Sequence, residues 1–135
     1  MLGLFKPKKK VKAGPAKILI VDDSPEMRNI LQIRLSASDY ETVTAENGRE
    51  GLEKAQSEKP DLILLDVNMP VLNGHDMLEQ IKLRPDLKDI PVIMVTTSYK
   101  PEDIAFAASY GIADYVVKPF SHIELMDKVS DVLNR

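Results

Sequence analysis

The side chains able to do chemistry stand at the ends of short apolar runs. KILIV is followed by Asp22 and Asp23, LILL by Asp66, VIMV by Thr96 and Thr97, and DYVV by Lys118 and Pro119. Taken singly, each has a plain reading: a loop or capping acid, a turn residue, a strand hydroxyl, a solvated lysine. Taken together, three carboxylates, a hydroxyl and an ammonium would share one pocket if those four ends met. Two like charges about 4 Å apart repel by roughly 4 kcal/mol at an effective dielectric of 20, so three ionised carboxylates need compensating cations. Lys118 is one. A hard divalent ion is the natural second, because Mg²⁺ takes oxygen ligands, keeps waters and commonly joins one or two carboxylates to a phosphate. Other chemistries have little material: the chain has no Cys, and its only imidazoles are His75 and His122. That excludes a thiol nucleophile, a disulfide framework and a thiolate zinc site. Neither His sits in a partnered motif, and both read as structural or surface residues.

The elements that must position these groups follow from the apolar pattern. Residues 17–21, 62–65 and 92–95 are short and almost continuously hydrophobic, the mark of strands covered on both faces. Residues 42–45 and 114–117 supply two more. Between them lie helical stretches with recognisable starts. Ser24 offers an N-cap with Pro25 at N1, Asn47 is followed three residues later by Glu50, Pro101 opens a helix with Glu102 and Asp103 in its first turn, and Ser121 caps the last. The first helix takes its apolar side from Met27, Ile30, Leu31, Ile33 and Leu35. The second carries Leu52 and Ala55 and is closed by Pro60. The third carries Met77, Leu78 and Ile81, and the last runs through Leu125, Val129, Val132 and Leu133. Asn73-Gly74 suits a tight turn ahead of the third helix, and Gly111 ends the fourth. That fourth helix offers mainly Ala105, Ala107 and Ala108 to a core, with Phe106 and Tyr110 expected on or near its exposed side.

Five strands alternating with five helices predict an α/β fold, a doubly wound five-stranded parallel sheet of flavodoxin-like (βα)5 type with strand order 2-1-3-4-5. In that order the site lies beyond the carboxyl ends of the strands, at the switch point between the first and third.

At 135 residues and 15.1 kDa, the chain has the size of one domain. It is 44% hydrophobic and 29% charged, with a mean hydropathy of -0.17, which excludes a largely disordered or collagen-like polymer. No run approaches the roughly 18 apolar residues of a membrane span, and the N-terminus lacks a signal peptide's apolar core, so a cytoplasmic location is expected. Residues 1–15 hold five lysines and no acid, so the remaining 120 carry a net charge of -8 although the whole chain is at -3. An acidic body argues against direct DNA binding, whose affinity comes mainly from Lys and Arg on phosphates. Residues 1–15 read as a flexible basic tail, with Leu2, Leu4, Phe5 and the lysines able to give at most weak, reversible attraction to an anionic membrane or a partner.

The segments ILIVDDSPEMR, LILLDVNMPVLNG, PVIMVTTS and DYVVKPF, in this order and spacing, resemble the response-regulator receiver domain of two-component signalling, of the single-domain chemotaxis-regulator kind. The resemblance covers residues 16–135. It implies a signalling switch, not an enzyme, that catalyses only its own phosphorylation and dephosphorylation. Its donor would be the phosphohistidine of a sensor histidine kinase or phosphotransfer protein. Carried over, Asp66 is the phosphoacceptor; Asp23 binds Mg²⁺ directly, Asp22 chiefly through water, and Asn68 through its backbone carbonyl. Lys118 pairs with Asp66 before transfer and with the phosphoryl group after it. Thr96, rather than Thr97, is the switch hydroxyl, and Tyr115 the aromatic that moves with it. Asn68 and Ser98 stand where side chains tune dephosphorylation, and the Lys118–Pro119 bond is often cis. The resemblance also implies that the fourth helix, fifth strand and fifth helix form the surface read by a downstream protein, whose identity is open. With the last helix ending near Arg135, no appended output domain is expected. The competing reading is an aspartyl-phosphate hydrolase of the haloacid-dehalogenase kind, which usually carries Asp-x-Asp; here Asp66-Val67-Asn68 lacks the second acid. A dinucleotide site lacks its GxGxxG.

Overall fold

The computed structural model describes residues 14–135. The expected basic tail, residues 1–15, and the weak attraction expected of it fall mainly on residues 1–13, outside the described residues. The elements alternate as β1 (Lys17–Val21), α1 (Pro25–Ala37), β2 (Glu41–Ala45), α2 (Gly48–Glu58), β3 (Leu62–Leu65), α3 (Gly74–Leu83), β4 (Val92–Thr96), α4 (Pro101–Ser109), β5 (Asp114–Val117) and α5 (His122–Leu133). All five strands pair in parallel in the order β2-β1-β3-β4-β5, as the alternation predicts.

Alternate residues of each strand feed two cores. Leu19, Val21, Ile63, Leu65, Val92 and Met94 pack against Leu52, Ala55, Met77, Leu78, Ile81 and Ala107 of α2, α3 and α4. Ile18, Ile20, Leu62, Leu64, Ile93, Val95 and Val116 pack against Leu31 and Leu35 of α1 and Leu125, Val129 and Val132 of α5. Burial on both faces explains the unbroken apolar runs. It also fixes register, since a one-residue slip would exchange the two sets of side chains.

Register sets the site. Val21 lies opposite Leu65, so Asp22 and Asp66 each follow one step beyond neighbouring strands. Thr96 lies opposite Val117, so Lys118 emerges beside the end of β4, its amide donating to the Thr96 carbonyl at 2.8 Å.

Four helices start on a side-chain cap. Ser24 accepts from the Met27 amide, Asn47 from Glu50, Asn73 from Asp76 and Ser121 from Glu124. α4 is the exception: Lys100 occupies the cap position without a side-chain bond, and Ala107 is its sole buried residue.

Four expectations need correction. Ala105 and Ala108, expected to face a core with Ala107, are exposed. On α1 only Leu31 and Leu35 are buried, while Ile30 is 38% and Ile33 62% exposed. Ile33 lies two residues from Leu31, about 200° around the helix, so it cannot share that face. Phe106 and Tyr110 are half-buried rather than outward. Phe106 stacks on His75 with ring centroids 4.4 Å apart and meets Tyr110 at 5.0 Å, so α4 docks on α3 through aromatic rings as well as alanine. Asn73-Gly74 is a helix start rather than a tight turn. Asn73 is the cap and Gly74 the first residue of α3; the left-handed residue of this loop is Val71, at φ 69°.

Gly74 is required by proximity. A Cβ there would lie 2.0 Å from the Asp66 carbonyl oxygen, while the Gly74 amide donates to the Val67 carbonyl at 2.8 Å. This approach clamps the backbone of the acidic residue to α3. Gly111 differs, having φ 73° and nothing within 4 Å of a built Cβ. Gly111→Ala is expected to cost about 1–2 kcal/mol for the left-handed backbone. Gly74→Ala should exceed the roughly 1–3 kcal/mol of ordinary overpacking, because backbone must move. Urea unfolding of both variants checks this; equal losses would count against the clamp.

Candidate functional site

Among the described residues, the buried polar or charged side chains are Asp22, Asp66 and Thr96, at 2%, 7% and 0% exposure. All three stand at the carboxyl edge of the sheet. The Lys118 ammonium bridges the two acids, 2.6 Å from Asp22 Oδ2 and 3.2 Å from Asp66 Oδ2. The resemblance implies the contact with Asp66; the shorter one to Asp22 has no counterpart in the sequence reading. A charge so placed offsets both desolvation and mutual repulsion.

Asp22 is held from several sides. Its Oδ1 accepts the Ser24 amide at 2.9 Å, and its carbonyl accepts Arg28 Nη1 at 2.7 Å. Ser24 therefore serves twice, capping α1 with its hydroxyl and fixing Asp22 with its amide. Burial pushes the Asp22 pKa up, an effect opposed by the Lys118 and Ser24 hydrogen bonds and reinforced by Asp66. Asp23, next in the chain, is exposed. At Asp66, Oδ1 accepts the Asn68 amide at a long 3.4 Å, and the Asn68 side chain is exposed.

Asp22, Asp23 and Asp66 each offer a carboxylate oxygen within 4.8 Å of the others. An all-oxygen donor set with one exposed member suits a hard divalent cation that keeps part of its water.

Thr96 and Thr97, indistinguishable by type, are separated by the fold: Thr96 is fully buried at the end of β4 and Thr97 exposed. Thr96 Oγ1 accepts the Ser98 amide at 3.3 Å. The Ser98 hydroxyl donates to Asp103 Oδ2 in the first turn of α4, and the Ser98 carbonyl accepts the Tyr115 hydroxyl at 2.7 Å. Tyr115 is half-buried, and burial raises the pKa of its phenol. The Lys118–Pro119 bond is cis.

The sequence reading missed Arg28, Asp103 and His75 as neighbours of this assembly. Asp103 was legible only as a first-turn acid. His75 Nε2 lies 3.8 Å from Asp103 Oδ1 and has no hydrogen-bond partner, an arrangement that no local spacing announces. His122 is exposed.

The raised Asp22 pKa fixes a sign. The folded protein holds that proton to higher pH than the unfolded chain does. Its contribution to stability is therefore full below the ordinary carboxylate pKa of 3.8 and is lost as pH climbs through the raised value. Asp22→Asn removes this loss, so the stability difference should shift in the variant's favour as pH rises from 3.8 through the acidic range. Urea midpoints across that range measure it; a constant difference would contradict the assignment.

The response regulator receiver domain profile matches residues 18–130, which include every site residue above. Protein PilH of Pseudomonas aeruginosa is 38% identical over 118 residues, covering 87% of this chain and 98% of PilH. The alkaline phosphatase synthesis transcriptional regulatory protein PhoP of Bacillus subtilis is 40% identical over 119 residues, 88% of this chain and 49% of PhoP. A probable transcriptional regulator ycf27 of Cyanophora paradoxa is 43% identical over 119 residues, 88% of this chain and 48% of its own. The chain thus spans about half the length of these two regulators. Among solved structures, the chemotaxis protein CheY4 of Vibrio cholerae superposes with a TM-score of 0.83 at 36% identity, covering 88% of this chain and 99% of CheY4. By sequence and fold alike, the chain belongs to the response regulator receiver domain family.

Proposed function

We propose that this chain is a phosphoryl-accepting switch of a two-component system, with residues 16–135 as the receiver unit and Asp66 as the acceptor. The observation that carries the reading is the Lys118 ammonium held between buried Asp22 and Asp66, with Asp23 close enough to complete an acidic cluster. A bare carboxylate is a weak nucleophile, so such a site works by position and charge. The donor is a phosphohistidine of a sensor kinase or phosphotransfer protein. The bond from an Asp66 oxygen to phosphorus forms as the phosphorus–nitrogen bond breaks, through a loose transition state with charge spread over the phosphoryl oxygens.

Each residue then has a task. Asp22, Asp23, Asp66 and the Asn68 carbonyl would hold Mg²⁺, which when bound supplies positive charge against those oxygens. Lys118 supplies the second positive charge, pairing with the phosphoryl group once Asp66 has reacted. Thr96 accepts the Ser98 amide in the resting protein, so its own proton is available to donate to a phosphoryl oxygen.

The surface of α4, β5 and α5 is the proposed output. α4 buries only Ala107 and lacks a side-chain cap, and thin apolar anchoring is what lets an element shift at low cost. A change at Thr96 reaches Tyr115 through Ser98, to which both are bonded. The downstream protein is expected to read that change.

Acetyl phosphate with Mg²⁺ should label Asp66 stoichiometrically, and Asp66→Asn should fold and take no label. Asp23→Asn should raise the Mg²⁺ concentration needed for labelling. Lys118→Arg should accept the group without moving the Thr96 and Tyr115 amide resonances, since a planar guanidinium does not replace a compact ammonium. Label at another residue would refute the acceptor assignment. Continuous turnover of a general phosphate monoester, lost in Asp66→Ala, would instead favour the hydrolase.

A further inference from the structure

We propose that Asp103 is a positioning residue of the switch: by holding the Ser98 hydroxyl it keeps Thr96 in its resting place, and so sets how readily the active arrangement forms. This rests on the phosphoacceptor reading of Asp66. The segment linking β4 to α4 spans Thr97, Ser98, Tyr99 and Lys100, and all but Ser98 are exposed, Tyr99 by 74%. Apolar burial therefore does not locate it. Ser98 does, through contacts to three elements. Its amide donates to Thr96 Oγ1 at 3.3 Å, its carbonyl accepts Tyr115 from β5 at 2.7 Å, and its hydroxyl donates to Asp103 of α4. The same hydroxyl lies 3.5 Å from the Lys100 amide, at the helix end that has no side-chain cap of its own.

Of these contacts, the one to Asp103 is charge-assisted and partly shielded, the Asp103 side chain being 22% exposed. Its other oxygen faces His75 of α3, so the carboxylate is confined on both sides. If Thr96 moves toward a phosphoryl oxygen on Asp66, it must either draw Ser98 away from Asp103 and Tyr115 or leave the Ser98 amide behind. Both routes work against the resting contacts. A contact present in one state and weakened in the other biases the equilibrium between them, and its removal favours the second state whether or not ligand is bound. Ser98 occupies a position where the resemblance implies tuning of phosphoryl lifetime; Asp103 would govern that position from outside the pocket.

The test compares parent, Asp103→Ala, Asp103→Asn, Ser98→Ala and Ser98→Ala/Asp103→Ala by amide resonances during titration with beryllofluoride and Mg²⁺. Asp103→Ala should bind about fivefold more tightly, the scale of one partly exposed hydrogen bond. With no ligand or metal present, its Thr96 and Ser98 resonances should already lie part-way toward their bound positions. Asp103→Asn keeps an acceptor oxygen but not the charge, and should fall between the parent and Asp103→Ala. The double variant should match Ser98→Ala, because the two residues act through one bond. Unchanged or weaker binding by Asp103→Ala, or an Asp103 effect that survives in the Ser98→Ala background, overturns the inference while leaving the acceptor reading intact. A parent protein that binds no beryllofluoride at Asp66 would overturn both.

Discussion

Two carboxylates held side by side and nearly out of water are unstable unless something positive sits between them, and in this protein that something is a single lysine. The pairing of Val21 with Leu65 places Asp22 and Asp66 on adjacent strands, each below a tenth exposed. At such separation the repulsion, roughly 4 kcal/mol at an effective dielectric of 20, is a sizeable fraction of the roughly 5–15 kcal/mol net stability of a small domain. Lys118 reaches both acids from a strand that neither one touches, because β4 lies between β3 and β5 and its register with β5 brings position 118 beside Thr96. The residual burial cost at Asp22 shows in its raised pKa, which the lysine opposes without cancelling. A site balanced in this way is prepared for further positive charge and for an incoming anion that would engage the lysine.

Around that centre the molecule divides into a clamped half and a lightly held half. On the clamped side, Gly74 allows α3 to approach the Asp66 carbonyl, Ser24 fixes Asp22 while capping α1, and Arg28 binds the Asp22 carbonyl. On the other side, α4 is docked by one buried alanine and the row of His75, Phe106 and Tyr110, with no side chain capping its start. Polar contacts from Ser98 join the two halves. Hydrogen bonds exchange partners more readily than packed hydrocarbon separates, because breaking them leaves no cavity. The proposed switch, which would hold an acceptor rigidly yet pass on its state, would be served by this contrast.

Much of the fold was legible because its cause is local. Apolar runs covered on both faces, Ser24 and Ser121 at helix starts, and Pro25 and Pro101 at first turns are features that each segment carries within itself. The errors came where local pattern was ambiguous. Asn73-Gly74 fits a turn as well as a capped helix, and only the nearness of the Asp66 carbonyl shows why glycine stands there. Ile33 is hydrophobic but lies off the stripe marked by Leu31 and Leu35, a distinction that needs the helix phase to be known.

The sequence by itself determined the residue types at the strand ends, and with them the need for a cation among three acids and the doubly wound order that gathers them. Tertiary structure alone decided the sharing of Lys118 between two acids, the burial of Thr96 but not Thr97, and the meeting of Ser98, Asp103, His75 and Tyr115. The reason is physical. The alternation of strands and helices and the helix starts follow from interactions within a few residues, whereas those contacts join elements far apart in the chain. Their distances are fixed only once sheet register and helix packing have both been settled by burial.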